Sequence, residues 1–213
     1  MALINIGQSD RLLGVNTEGQ REAIGVSVSL SEAEVHWRQF LQSLVKRGLS
    51  GVQLLISDDH AGLGAARRAV FPSVPWQRCQ FHLQQNAQAY VTKLSDRPIV
   101  AEKIRAIFNA PNVDEAKRLL QLAVDEYTES NTQLAEWMEN NIEQGFTVFT
   151  VAPQAHWKKL RTSNPLERLN KEIKRRTRVV GIFPNTASCL RLVSAILMEQ
   201  SEDWLVGKTY IKL

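Results

Sequence analysis

Cysteine is nearly absent: Cys79 and Cys189 are the only two, more than a hundred positions apart. That spacing excludes a disulfide scaffold and predicts free thiols in a reducing compartment. Long apolar runs are missing as well, so a membrane-spanning helix is not expected. The opening MALINIGQSD has neither a basic n-region nor an apolar h-region, which argues against a secretory signal and points to the cytoplasm. There is no Gly-rich phosphate loop and no Gly-x-Ser-x-Gly elbow, which removes two common routes to nucleotide and ester hydrolysis. No internal repeat and no low-complexity tract interrupt the chain.

What is present is the profile of a folded domain, or of one carrying an insertion: 44% hydrophobic and 23% charged residues over 213 positions. The formal charge of +4 is unevenly spread. Between His156 and Arg178 stand nine basic residues, Lys158, Lys159, Arg161, Arg168, Lys171, Lys174, Arg175, Arg176 and Arg178, against Glu167 and Glu172. The segment is therefore +7 and the remainder −3. A polyanion would meet one concentrated basic face, and nucleic acid is the expected partner.

Residues 12–16 and 22–29 are rich in β-branched and apolar residues and flank a Gly-bearing turn, which reads as a hairpin. Ser31, with Glu34 three positions on, has the capping-box pattern before apolar positions at helical spacing from Val35 to Val45. Residues 51–57 read as a buried strand ending in Asp58 and Asp59, and residues 61–70 as a helix stopped by Phe71-Pro72. From Trp76 to about Asn141 the pattern is helical, broken at 95–98 and 109–112. Pro165 opens a basic helix from Leu166, Gly181 closes it, and a last helix runs from 186 to 202. Hairpin, helix and strand in this order predict a mixed sheet carrying helices, an α/β class.

Two acids stand out by their surroundings. Asp58 ends a predicted core strand, where a carboxylate either ligates Mg²⁺ or caps a turn or helix. Glu167 sits within a cationic stripe, where it either ligates a metal flanked by phosphate-holding cations or pairs with Lys171 at i,i+4. The three-position spacing of Cys79 and His82 would place them on one helix face, but too few other His and Cys residues are present for a complete zinc site, so packing competes with metal binding there. Trp157 lies among His156, Lys158, Lys159 and Arg161, and is either a core residue or a platform for a nucleotide.

The blocks Ile56-Ser-Asp-Asp-His-Ala-Gly-Leu63, Phe71-Pro72, Trp76-Gln-Arg-Cys-Gln-Phe-His82, Asn86, Thr162-Ser-Asn-Pro-Leu-Glu-Arg-Leu-Asn-Lys-Glu-Ile-Lys-Arg-Arg176 and Phe183-Pro184 stand in an order that resembles the Mutator-type transposases of bacterial insertion sequences. The resemblance runs from about Leu12 to the C-terminus. It implies an RNase H-like DDE (transposase/integrase) core with an all-α insertion, cutting and joining DNA with two divalent ions, Mg²⁺ or Mn²⁺. Asp58 would be the second acid and Glu167 the third, both catalytic and metal-binding; the 109 positions between them leave room for the insertion. Cys79 and His82 match the family's Cys-x-x-His in that insertion. Lys158, Lys159, Arg161, Arg168, Lys171, Lys174, Arg175 and Arg176 would contact DNA.

The family's first acid lies on a strand before the hairpin, upstream of any residue here, and Asp10 is too close to the hairpin to replace it. The expected architecture is therefore a core lacking its first strand: 1–75 as its first part, 76–150 as the helical insertion, 151–213 as its second part with the basic helix. Such a chain is expected to be an N-terminally truncated, inactive fragment of a transposase; alternatively, it is a DNA-binding or oligomerising remnant that interferes with the full-length protein. An opened central edge would favour association with itself or with that protein. The expected location is the bacterial cytoplasm, at the nucleoid.

Overall fold

The structure, a computed structural model, describes residues 2–5, 11–27, 33–162 and 164–212, with side chains for all of these except 2–5, 11 and 164–167. The chain divides into two compact units, one made of residues 1–76 and 162–213 and the other of residues 77–161.

The first unit is built on a sheet, whose last strand begins at Trp76, where the unit's first segment ends. β1 (Ala2–Asn5), β2 (Arg11–Val15) and β3 (Arg21–Val26) are followed by α1 (Glu34–Lys46), β4 (Leu54–Ser57), α2 (Ala61–Val70) and β5 (Trp76–Arg78). The strand order is β3-β2-β1-β4-β5. β1 pairs antiparallel with β2 (Ile4 opposite Leu13) and parallel with β4 (Ile4 beside Ile56). This corrects the expectation of a missing strand: four residues, too short to show a period-2 pattern, fill the slot between β2 and β4 and satisfy the backbone groups on both sides. The argument for self-association from an open edge at that slot loses its premise.

Period-2 alternation sends neighbouring residues to opposite faces. Leu12 joins Trp37, Phe40, Leu41 and Leu44 of α1, Leu55 of β4, and Leu63 and Ala66 of α2 in one buried cluster. Leu13, one position on, joins a second cluster with Leu169 and Ile173 of α9 (Asn164–Val180) and Val193, Ile196 and Leu197 of α10 (Thr186–Val206). Helices thus cover both faces of the sheet. α1 begins at Glu34 with Ala33 at its N-cap and no side-chain cap; Ser31, the expected capping residue, lies outside the described residues. α10 is capped by Asn185, whose Oδ1 accepts from Ser188 N at 2.9 Å.

The hairpin turn is tied to the chain's end. Gly19 has φ +76°, and a Cβ there would lie 1.7 Å from the Ile211 carbonyl oxygen. Only glycine allows Tyr210 N and Ile211 N to donate to Gly19 O at 2.9 and 3.0 Å. Arg21 then lies between the rings of Trp204 (4.6 Å) and Tyr210 (4.8 Å).

The second unit is helical: α3 (Gln80–Ala87), α4 (Arg97–Phe108), α5 (Val113–Ser130), α6 (Thr132–Asn141), α7 (Val148–Val151) and α8 (Trp157–Leu160). One core holds it, with Leu83, Ile104, Ile107, Leu120, Leu134, Met138 and Phe146 among its buried members. Asn112 caps α5 by accepting from Glu115 N at 2.8 Å, and Asn131 caps α6 by accepting from Leu134 N at 3.2 Å. The unit reaches Arg161 and does not end at 150 as expected, because buried amides bind the 145–161 segment to its first residues. Gln77 Nε2 donates to Leu160 O at 3.0 Å, Gln77 Oε1 accepts from Val148 N at 2.6 Å, Gln80 Nε2 donates to Gly145 O at 2.8 Å, and Gln80 N donates to Arg161 O at 3.0 Å. The helical reading from Trp76 is also corrected, since residues 76–78 are the strand β5.

Candidate functional site

Asp58 follows the fully buried strand β4 directly, in the turn that leads to α2. The bonds that hold the turn do not use its carboxylate oxygen Oδ1. Ser57 Oγ donates to Asp58 O at 2.7 Å and accepts from Trp76 Nε1 at 2.9 Å, while Arg67 of α2 lies over the Trp76 ring at 4.3 Å. The N-cap of α2 is His60, whose Nδ1 accepts from Leu63 N at 3.3 Å. The capping role left open for Asp58 in α2 is therefore filled by another residue. Asp58 Oδ1 is buried and has no hydrogen-bond partner among the described residues. A buried carboxylate oxygen left unsatisfied costs roughly 1–3 kcal/mol or more, so its natural complement is a hard cation, which takes oxygen ligands and often only one or two protein carboxylates. Burial also leaves a positive group nearby unsettled: desolvation holds the Arg67 guanidinium below its usual range, with Arg68 adding repulsion and Asp59 opposing both. Sequence reading missed Arg67, whose only signal was a basic position in the last turn of α2.

Glu167 lies in the first turn of α9 and in the same unit as Asp58. Beyond that turn, α9 separates its faces sharply. Leu169 and Ile173 are buried in the sheet unit's second cluster, and Arg168, Lys171, Lys174, Arg175 and Arg178 are exposed. The cations fall into two groups. Arg175 donates to Glu172 at 2.7 and 2.9 Å, and Arg176 donates to Glu172 at 2.7 Å and to Glu199 of α10 at 2.5 and 3.1 Å. The side-chain hydrogen bonds from Arg175 and Arg176 pull the Glu172 carboxyl down to about 2. Among the described residues Arg168, Lys171 and Lys174 make no ion pair. Glu172 and Glu199 thus neutralise part of the stripe, which the sequence could not reveal because Glu199 comes from another helix.

The basic segment spans both units. Lys158, Lys159 and Arg161 belong to the helical unit, on and just after α8, while Arg168 to Arg176 belong to the sheet unit. In the helical unit Cys79 is fully buried at the N-cap position of α3, three residues before His82. Among the described residues no three His, Cys, Asp or Glu side chains form a group able to hold a metal ion. Trp157 is buried, with its indole N–H donating to Ala152 O at 2.8 Å and its ring edge-on to Phe149 at 4.7 Å. No helix of the described residues is long and apolar enough to cross a membrane.

Comparison with known proteins adds a family. The profile described as "Transposase, Mutator family" matches residues 12–207. The chain is 56% identical over 199 residues to the transposase for insertion sequence element IS406 of Burkholderia multivorans, covering 93% of this chain and 51% of that protein. It is 41% identical to the transposase for ISRM5 of Rhizobium meliloti (94% of this chain, 50% of that one). It is 40% identical to the transposase for IS1081 of Mycobacterium tuberculosis (94% and 48%). The chain spans about half the length of these curated relatives.

Proposed function

Because the chain belongs to the Mutator family of transposases, we propose that it is part of a bacterial insertion-sequence DNA transposase with an RNase H-like core, in which Asp58 and Glu167 are metal ligands and the outer face of α9 holds DNA phosphates. The observation that carries this reading is the buried, unpartnered Oδ1 of Asp58 at the end of β4. The strand order β3-β2-β1-β4-β5, antiparallel over the first three strands and parallel from β1 to β4, supports the RNase H-like assignment.

The residues present fit a divalent ion at Asp58, and Mg²⁺ or Mn²⁺ bound there would supply activation of water or of a 3′-hydroxyl and neutralisation of phosphate charge. The chain's own residues do the rest. Ser57 and Trp76 fix the turn that presents the Asp58 carboxylate. Arg168, Lys171 and Lys174 offer charge to the DNA backbone, and Glu172 holds Arg175 in a set orientation at the stripe's edge.

β1, running parallel beside β4, reads Ala-Leu-Ile-Asn and contributes no acid. In-line phosphodiester chemistry needs carboxylates on both sides of the ion pair, so this chain alone binds DNA without cutting it. The same observation favours a second reading, a non-catalytic DNA-binding protein that competes with an active transposase. A supercoiled-plasmid assay with Mg²⁺ or Mn²⁺ tests both: the chain shifts the plasmid in a salt-dependent manner and leaves it intact, as does Asp58→Ala. Metal-dependent nicking that Asp58→Ala abolishes would overturn the inactivity, and absence of any shift at low salt would overturn the DNA reading.

A further inference from the structure

The helical unit contains a cavity of about 500 Å³ that the family relationship leaves without a role. Arg161 and Lys158 line it together with Asn109, Gln154 and Trp157, and two alanines complete its wall. The charge is of one sign, since no carboxylate lines the cavity. Arg161 is the more telling of the two cations. One terminal nitrogen donates to Asn109 Oδ1 at 2.5 Å, but Nε is buried and has no hydrogen-bond partner among the described residues. Burial holds its guanidinium below the usual range, and no acidic group offsets that effect. An arginine stays charged in a protein, so a half-buried guanidinium with one donor unmet calls for an anion with acceptor oxygens. The volume exceeds what a bare phosphate fills and lies within the range of small-molecule sites. Trp157 supplies an apolar aromatic wall, fixed by its bond to Ala152 O, and Gln154 and Asn109 supply amide groups suited to a base edge.

We infer that this cavity is a nucleotide pocket: Arg161 and Lys158 take the phosphate of one nucleoside phosphate unit, and the nucleoside lies against the Trp157 side of the wall. The inference rests on the reading of the chain as a DNA-handling protein and adds a contact outside α9. The unit would come from a DNA strand with an unstacked base or from a free mononucleotide, and one titration separates these sources.

The test follows the Arg161 Nε–H, the Trp157 indole N–H and the α9 amides by ¹H–¹⁵N NMR in the full chain. A short single-stranded oligonucleotide, thymidine 5′-monophosphate and inorganic phosphate are added in turn. The oligonucleotide is expected to move Arg161, Trp157 and α9 together. Thymidine monophosphate moves only the pocket signals, and inorganic phosphate moves Arg161 without Trp157. Pocket shifts with the mononucleotide and not with the oligonucleotide would assign the pocket to free nucleotides. Arg161→Gln should weaken nucleotide binding about tenfold, the loss of one charge-assisted contact. Lys158→Ala, at an exposed position that leaves the Arg161–Asn109 bond in place, should weaken it less. Movement of α9 with Arg161 and Trp157 unmoved would overturn the pocket alone. A titration in which neither region responds to the oligonucleotide would overturn the underlying DNA reading. Equal Trp157 shifts with inorganic phosphate would overturn the nucleoside part.

Discussion

Helices α5 and α9 are of nearly equal length, one in each unit, and each buries one apolar face and exposes one charged face. Their charges differ in kind. α5 carries five acids against two bases; Arg118 pairs with Glu115 of its own first turn, and Glu126 with Lys103 of α4. α9 carries six bases against two acids, and among its described side chains Arg175 and Arg176 are held by Glu172 and Glu199. The inner faces do the same work, and the outer faces do not: the first is a solvated surface, the second a positive stripe on the unit that also holds Asp58. Amphipathicity places a helix on a core, and the charge on its outer face sets what that face would attract.

The inner faces are the place to look for the largest effect. Leu120→Ala in α5 and Ile173→Ala in α9 each remove a buried side chain, 6% and 2% exposed, from a packed cluster. Each is expected to cost about 2–5 kcal/mol, with amide-exchange protection falling first in the unit that carries the substitution. Equal loss of protection in both units from either variant would show that they unfold as one body.

The outer faces come next. Lys171→Ala combined with Lys174→Ala should lower duplex DNA affinity about tenfold at low salt and reduce the slope of log K against log salt by roughly 2. Lys117→Ala on exposed α5 should change neither quantity. Comparable losses from the α5 variant would mean that the positive stripe has no special role.

How much of this contrast could be read from the sequence depended on the range of the contacts. The helical unit follows from local period and punctuation: the breaks at 109–112, the acids opening α5 and the residues from 132 to 141 are all visible in short windows. The hairpin and β4 were equally legible. β1 was not, because four residues of mixed polarity acquire their identity only by pairing with strands ten and fifty positions away. The unit boundary at Arg161 was hidden for the same reason, as it rests on Gln77 and Gln80 reaching across more than sixty positions. Asp58 was picked out from its place at the end of an apolar run, but that the cap of α2 is another residue, His60, needed the structure. Arg161 was read as part of one basic run, and its pairing with Asn109 in a cavity could not be anticipated.

The smallest expected effect concerns acid. The Glu172 carboxyl, held down to about 2 by Arg175 and Arg176, has a folded-state value below its ordinary one near 4.5. Its ion pairs therefore contribute fully above that ordinary value, and the contribution disappears as pH falls through about 2. Because the group is partly exposed, the stability involved is small and screened by salt. A ¹³C titration of the Glu172 carboxyl should give a midpoint near 2, moving up toward the ordinary range in Arg176→Ala. An unshifted midpoint in the unaltered chain would remove the account of how the stripe is partly neutralised.

The central claim is that the unpartnered Asp58 oxygen awaits a divalent ion. Mn²⁺ added in substoichiometric amounts to ¹⁵N-labelled chain should broaden the amide signals of Ser57, Asp58, Asp59 and His60 selectively. Asp58→Asn, which keeps the shape and removes the charge, should abolish that pattern. Broadening that is diffuse, or that persists unchanged in Asp58→Asn, would contradict the account.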